Sequence, residues 1–427
     1  MSLSLPHIFT EKWPISLLIK TRLHLFCTSK TERTCLQELH FVFESNMNIH
    51  NRQRVALNIY FFLSGVCFAS WASRIPTIKD FFNFNDAVLG SVLFAMPVGS
   101  IVGLPISGWL VSKFDSRVPL IFSFILFCIC LAIIGFVQTP FVLIICLIVF
   151  SFCMRIIVIS INTQSLAIQK NFQKRIVGSF HAVWSTGGVL GILITTLMIR
   201  LDISMQTHLL AVAIITILVS LITYKYTIRN DKSLTGNKII FGKPDLFILY
   251  LGVIIFFSAL VEGGMYDWSG IYFKEVINED IFTFGYLIFM SCMAFSRFFT
   301  DKLVEVLGMF KTYVLSAILI ASGISLAILF PYFWTALIGF CLVGFGTSPI
   351  FPMTYLLAGN SKKYSPGMAI SIISTFSIVG MLLGPPFIGY LSHAIGLRLA
   401  FIVFIIAGLM YIPISKHFFN LDQNKSS

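Results

Sequence analysis

Residues 178–191 read GSFHAVWSTGGVLG, and residues 367–380 read GMAISIISTFSIVG. Gly178, Ser185, Thr186 and Gly191 fall on Gly367, Ser374, Thr375 and Gly380 at one constant spacing of 189 residues. A fainter pair, Gly90 and Gly285, is spaced by 195, so loop insertions must absorb six residues. Both stretches sit inside long apolar runs. The pairing points to two copies of one unit, and the apolar runs around it say what that unit is.

Those runs lie near 54–73, 87–110, 118–138, 141–164, 177–199, 208–226, 245–267, 284–303, 312–330, 334–357, 367–390 and 398–418. Each is about 20 residues, enough for a helix to cross a ~30 Å hydrocarbon core. The interruptions are short and polar: KFDSR, QKNFQKR, NDKSLTGNK and GNSKKYSPG. The longest, near 227–243, divides twelve spans into six and six. The organisation expected is a half over 47–226, a loop over 227–244, a half over 245–419 and a tail over 420–427. The fold class is therefore an all-α membrane protein of twelve transmembrane helices in two pseudo-symmetric six-helix bundles.

Composition agrees. Apolar residues make up 57% and charged residues 11%, with a mean hydropathy of +0.90. A soluble chain carries about 25% charged residues, so here lipid must be the outer solvent. The 44 Phe fit a lipid-facing surface. A net charge of +12 would suit nucleic acid, but the charges sit in short turns and not on one face, so no nucleic-acid partner is expected. Nine Cys are present without any Cys-x-x-Cys, which gives neither a disulfide framework nor a zinc site. No metal or cofactor is expected. No Gly-x4-Gly-Lys-Ser/Thr occurs, so ATP is not the direct energy source.

Residues 1–46 are mixed and basic, without a sustained apolar run. Met47 opens MNIHNRQRVALNIYFF, a short basic head leading into a span. Met47 reads as the true start, with 1–46 an upstream read-through or disordered extension; a genuine cytoplasmic extension is the other reading.

Orientation follows from the bias of Lys and Arg. Loops after even-numbered spans hold fourteen of them, including Lys113, Arg117, Lys170, Lys238 and Lys362. Loops after odd-numbered spans hold five: Arg74, Lys79, Arg200, Lys274 and Arg398. The even side is expected to be cytoplasmic, with both termini inside. Trp71, Trp268 and Trp334 then fall at outer helix ends, and Trp109 and Trp184 towards the inner face, as an aromatic belt.

Twelve spans in two halves with short loops resemble the major facilitator superfamily. WASRIPTIKDFF after span 1, FHAVWSTGG in span 5 and EGGMYDWSGIY in span 7 resemble its bacterial YbjJ-type group. The resemblance covers roughly residues 47–419. GWLVSKFDSR stands where the superfamily carries an inner-gate loop motif: Gly108, Lys113 and Arg117 match, while Ser112 takes an Asp slot and Asp115 a Gly slot. The second copy, DKLVEVLGMFK, keeps Glu305, Gly308 and Lys311. The resemblance implies an inner-gate charge network, better preserved in the second half.

Polar groups inside spans are costly and mark cavities or partners. Ser258, Glu262, Tyr266 and Ser269 form one stripe on span 7, so Glu262 with Tyr266 and Ser258 is a candidate for proton coupling, or else a structural carboxylate. Arg155 and Asn162 share a face of span 4 and are candidates to anchor solute, or to snorkel. His181 in span 5 is a third cavity candidate, or a packing histidine. It lies about one turn inside the cytoplasmic end, whereas Glu262 lies ~25 Å in from that end at 1.5 Å per residue, so the two are too far apart for a direct relay. Arg74 and Asp267, beside Trp71 and Trp268, could pair across the halves as an outer gate, or remain separate belt charges. Pro385 and Pro386 in span 11 read as a kink, and GFGTSPIFP in span 10 as a broken helix.

The function expected is secondary transport of a small polar organic solute, a sugar or similar metabolite, by alternating access with proton coupling, in the inner membrane of a bacterium by a monomer. Drug or metabolite efflux by proton antiport is the alternative, although span 5 lacks the Pro of the antiporter signature. A non-transporting sensor or scaffold would call for a soluble domain, and the loops are too short. An intramembrane enzyme would need a nucleophile and base together, and none pair here; no catalytic residue is expected.

Overall fold

The computed structural model describes residues 32–169, 171–172, 176–229, 246–361, 363–364 and 366–423. Residues 1–31 and most of the central 227–244 loop lie outside them, as do Lys170, Lys238 and Lys362. All contacts below lie within Arg54–Ser427, the larger of two compact units; Met1–Gln53 forms the other.

The first half comprises α1 (Glu32–Ala72), α2 (Ile75–Phe81), α3 (Asp86–Leu93), α4 (Ala95–Lys113), α5 (Arg117–Phe136), α6 (Pro140–Gln169), α7 (Val177–Arg200) and α8 (Met205–Tyr224). The second comprises α9 (Leu246–Glu275), α10 (Thr283–Arg297), α11 (Thr300–Leu307), α12 (Met309–Leu329), α13 (Phe333–Thr347), α14 (Ile350–Gly359), α15 (Pro366–Ile395), α16 (Leu397–Ala400), α17 (Ile402–Leu409) and α18 (Tyr411–Gln423). These helices, singly or as broken pairs, trace the twelve expected crossings. The helix of span 1 starts at Glu32, well before the expected 54.

Among the described residues, eleven crossings are long and apolar enough on their own to span a bilayer. The other, α10–α11, is interrupted at Phe298–Phe299, and its first piece has only 15 residues. Span 10 breaks at Ser348–Pro349, between α13 and α14. The missing N–H of proline is the physical reason. Pro385 and Pro386 stay inside α15, tolerated because neighbouring helices can re-satisfy the freed carbonyls.

The internal repeat reappears as packing. A Cβ added at Gly191 would lie 2.7 Å from Val66 O and 3.0 Å from Ala69 Cβ, so α7 rides directly on α1. At Gly380, the sequence partner of Gly191, it would run into Phe256 O and lie 3.1 Å from Ala259 Cβ, so α15 rides on α9 in the same way. Glycine permits this approach because no side chain separates the backbones. The two glycines do one job in two copies of the unit.

Large apolar side chains such as Phe122, Phe141, Leu218 and Trp334 are exposed on the outside, where lipid rather than water would meet them. Two central tyrosines are satisfied internally: Tyr60 Oη donates to Ser220 O at 2.8 Å, and Tyr272 Oη donates to Ala327 O at 2.7 Å. In a bilayer this matters, since an unbonded hydroxyl finds no water there. The two ends of the bundle are named here by Lys79, just after the first crossing, and Lys113, just after the second.

Candidate functional site

Between the halves lies a cavity of about 210 Å³. Helices α1, α3, α4, α6 and α7 supply one side of it, and α9 and α15 the other. Its charged lining groups are Arg155 from α6 and Asp267 from α9, with Tyr266, Ser100 and Ser151 as the hydroxyls. Phe68 and Trp184 face it from the first half, their ring centroids 6.3 Å apart. Tyr266 meets Phe68 edge-on from the second half at 5.9 Å.

Of the expected cavity residues, Arg155 and Tyr266 line this space, and Asn162, His181, Ser258 and Glu262 do not. Asn162 Nδ2 donates to Val158 O of its own helix at 2.8 Å. His181 is exposed, with its ring 5.5 Å from that of Phe61. Ser258 is fully buried and faces Tyr411 of the last crossing. The stripe on span 7 therefore splits: Ser258 packs within the second half, and Tyr266 reaches the cavity.

Glu262 is buried but not alone. Tyr266 Oη donates to its Oε1, and Arg297 of α10 pairs with the same oxygen at 3.6 Å. Arg297 Nη1 in turn donates to Ser185 Oγ of α7 at 2.9 Å, so the ion pair reaches across to the first half. Arg297 was not among the expected site residues. It is a cation inside span 8, so the rule that selected Glu262 would have found it.

The expected outer gate is placed elsewhere. Arg74 donates through Nε to His208 Nδ1 at 3.3 Å and through Nη2 to Ile203 O at 3.1 Å, all within the first half. Asp267 turns into the cavity, and Trp71 and Trp268 are fully buried, so neither indole belongs to an interfacial belt. The reason is rotational: at 100° per residue, neighbours on a helix face different solvents, and sequence depth alone does not choose the face. The charges that join the halves are one turn further out. Lys79 pairs with Asp86 at 2.5 Å and with Glu275, and Lys274 pairs with Asp80. Asp86 also accepts from Ser392, and Ser91 bonds Tyr390 at 2.9 Å. Close backbone contact of Gly90 and Gly389 completes this closure.

At the Lys113 end the expected charge network is not formed. Lys113 Nζ lies over the Trp109 ring at 4.7 Å, and Arg117 over Tyr224 at 4.2 Å. Glu305 and Lys311 are exposed, and among the described side chains none of the four makes an ion pair. Gly308 joins α11 to α12 at φ +78°, a left-handed turn suited to glycine. Gly108 has open space where a Cβ would stand.

Two bundles of transmembrane helices around a shared central cavity, closed at one end by charges from both, define a multi-pass membrane transporter. The profile of the Major Facilitator Superfamily matches residues 57–316 and 288–427, and the chain belongs to that family. An uncharacterized MFS-type transporter of Yersinia pestis is 29% identical over 351 residues, covering 82% of this chain and 91% of its own length. Membrane protein MosC of Rhizobium meliloti is 26% identical over 377 residues, covering 87% and 90%. Among solved structures, the nucleoside transporter NupG superposes with a TM-score of 0.71 at 13% identity, over 86% of this chain and all of that one. A bacterial homolog of the human lysosomal transporter Spinster, inward-facing and occupied, gives 0.71 at 13%, over 86% and 96%. At such identities the likeness concerns the fold.

Proposed function

We propose that the chain carries a small polar organic solute across the bacterial cytoplasmic membrane by alternating access of its two halves, coupled to protons and acting as a monomer. The observation that carries this reading is the central cavity shared by both halves, with the Lys79–Glu275 and Lys274–Asp80 pairs closing one end. The bias of Lys and Arg makes the Lys79 end periplasmic and places both termini in the cytoplasm. With the Lys79 end closed, the state described is then not outward-facing.

Glu262 is the group through which protons act. As a carboxylate it holds Arg297, and Arg297 holds Ser185 of the other half. Protonation removes the charge that anchors the guanidinium, so the tie between the halves weakens with it. A ligand or proton shifts such an equilibrium only by the difference it makes between the two states, and a contact that crosses the halves is where that difference arises.

Alternating access is tested with Ser100→Cys at the cavity, in a background where Cys27, Cys35, Cys292 and Cys341 are Ser. Labelling by an impermeant maleimide is measured in right-side-out and inverted vesicles. Opening the Lys79 end by Lys79→Gln should raise labelling from the periplasm and lower it from the cytoplasm. Rates that rise together from both sides would rule out alternating access.

A further inference from the structure

The cavity's two charges are both unclaimed. Arg155 Nε is shielded from solvent and has no hydrogen-bond partner. No ion pair of 4.0 Å or less joins Arg155 to Asp267, or either to another described side chain. This contrasts with Glu262 and Arg297, which hold each other a few residues away. A charge facing a low-dielectric space without a counter-ion is costly, and inside a bilayer such groups mark the solute path. Arg155 cannot relieve that cost by losing its proton. Its planar fork of donors fits a carboxylate or a phosphate.

Asp267 stands in a different setting. Tyr266 precedes it on α9, and Tyr266, Phe68 and Trp184 form a continuous aromatic wall along the same cavity. Aromatic faces carry negative charge density and attract organic cations. A carboxylate beside three rings is therefore a corner for an ammonium group. A neutral polyol would leave both charges without a counter-ion. A simple anion would satisfy Arg155 and confront Asp267, and a simple cation would do the reverse.

Resting on the transporter reading above, we propose that the solute is a small amphoteric molecule. Its acidic group lies on Arg155, its ammonium group lies on Asp267 against Phe68, Trp184 and Tyr266, and its body is apolar. The volume of about 210 Å³ suits a molecule the size of a single amino acid, below the about 300–1,000 Å³ usual for drug-sized ligands. Arg155 belongs to the first half and Asp267 to the second, so one bound zwitterion neutralises both and draws the halves together. Solute recognition and closure are then one event.

The test uses the purified full chain in nanodiscs, with thermal shift followed by calorimetric titration. The probes are L-leucine, L-methionine and L-phenylalanine, their N-acetyl derivatives (anions), their methyl esters (cations), and D-glucose and uridine (neutral). At least one zwitterion should bind, with its anionic and cationic derivatives at least about tenfold weaker, a 1.4 kcal/mol difference. Arg155→Gln should cost that zwitterion about tenfold or more, while Arg155→Lys retains part of the affinity and controls for folding. Asp267→Asn should abolish the discrimination against the N-acetyl anion, a change of preference that a merely structural role would not produce. Binding of glucose or uridine unaffected by R155Q and D267N would overturn the proposal. So would an N-acetyl anion that binds the wild type as tightly as its parent, or failure of every zwitterion to bind. Reciprocal Ser100→Cys labelling that persists beside such a result leaves transport standing and removes only the solute class. Loss of reciprocity beside selective zwitterion binding does the opposite.

Discussion

Lys79→Gln removes the cation that Asp86 and Glu275 share at the closed end. Lys79 and Asp86 both belong to the first half, so their 2.5 Å pair survives opening, and only Lys79–Glu275 is broken by it. The Lys79 side chain is 9% exposed and that of Glu275 is 35% exposed. Exposed pairs are worth about 0.2–1 kcal/mol, and breaking a buried one costs about 3–5. With one partner a third in solvent, the crossing pair is worth about 1 kcal/mol. Removing Lys79 also leaves Asp86 and Glu275 facing each other without a cation, a penalty of similar size. The closed end should lose about 2 kcal/mol, a roughly thirtyfold shift towards opening. Glu275→Gln forfeits only the crossing pair and should shift it roughly fivefold. Lys274→Gln breaks a pair whose Asp80 side chain is 56% exposed, worth about 0.5 kcal/mol and roughly twofold. The ratio of periplasmic to cytoplasmic Ser100→Cys labelling reads all three. A Lys79→Gln shift no larger than that of Lys274→Gln would show that this cluster does not hold the end closed.

Gly380→Ala places a methyl against Phe256 O and should cost about 1–3 kcal/mol by overpacking, seen as a lower unfolding midpoint in detergent. Gly108→Ala, in open space, should leave the midpoint in place, and equal midpoints for both variants would contradict the close α9–α15 contact. Glu262→Gln should mimic the protonated state, so that solute exchange survives while accumulation against a gradient collapses. Proton-driven accumulation in a well-expressed Glu262→Gln variant would remove Glu262 from the coupling step. Reporter fusions after Lys113 should sit in the cytoplasm and fusions after Asn278 outside, and signals from the same side would refute the assigned orientation.

The number of crossings, their positions and the repeat were legible in the chain because they are one-dimensional. A bilayer needs about 20 apolar residues per helix, and that requirement is written along the sequence. Gly191 and Gly380 could be matched from spacing alone, and the structure puts both to the same use against α1 and α9. The breaks at Pro349 and within α10–α11 were less even: the first is a local effect of proline, while the second interrupts a span that reads as continuous.

Which charge meets which was a matter for tertiary structure. Sequence depth ranked Arg74 and Asp267 as partners at the outer end, yet Arg74 turns to His208 and Asp267 to the cavity. Glu262 read as a lone carboxylate because Arg297 is 35 residues away on another helix. Lys79, Asp80, Lys274 and Glu275 looked like ordinary loop charges until two chain segments nearly 200 residues apart were brought together. Hydropathy along a helix determines that it crosses the membrane and roughly where it enters. Its rotation about its own axis is decided by packing against its neighbours, and that rotation selects the residues that face the cavity.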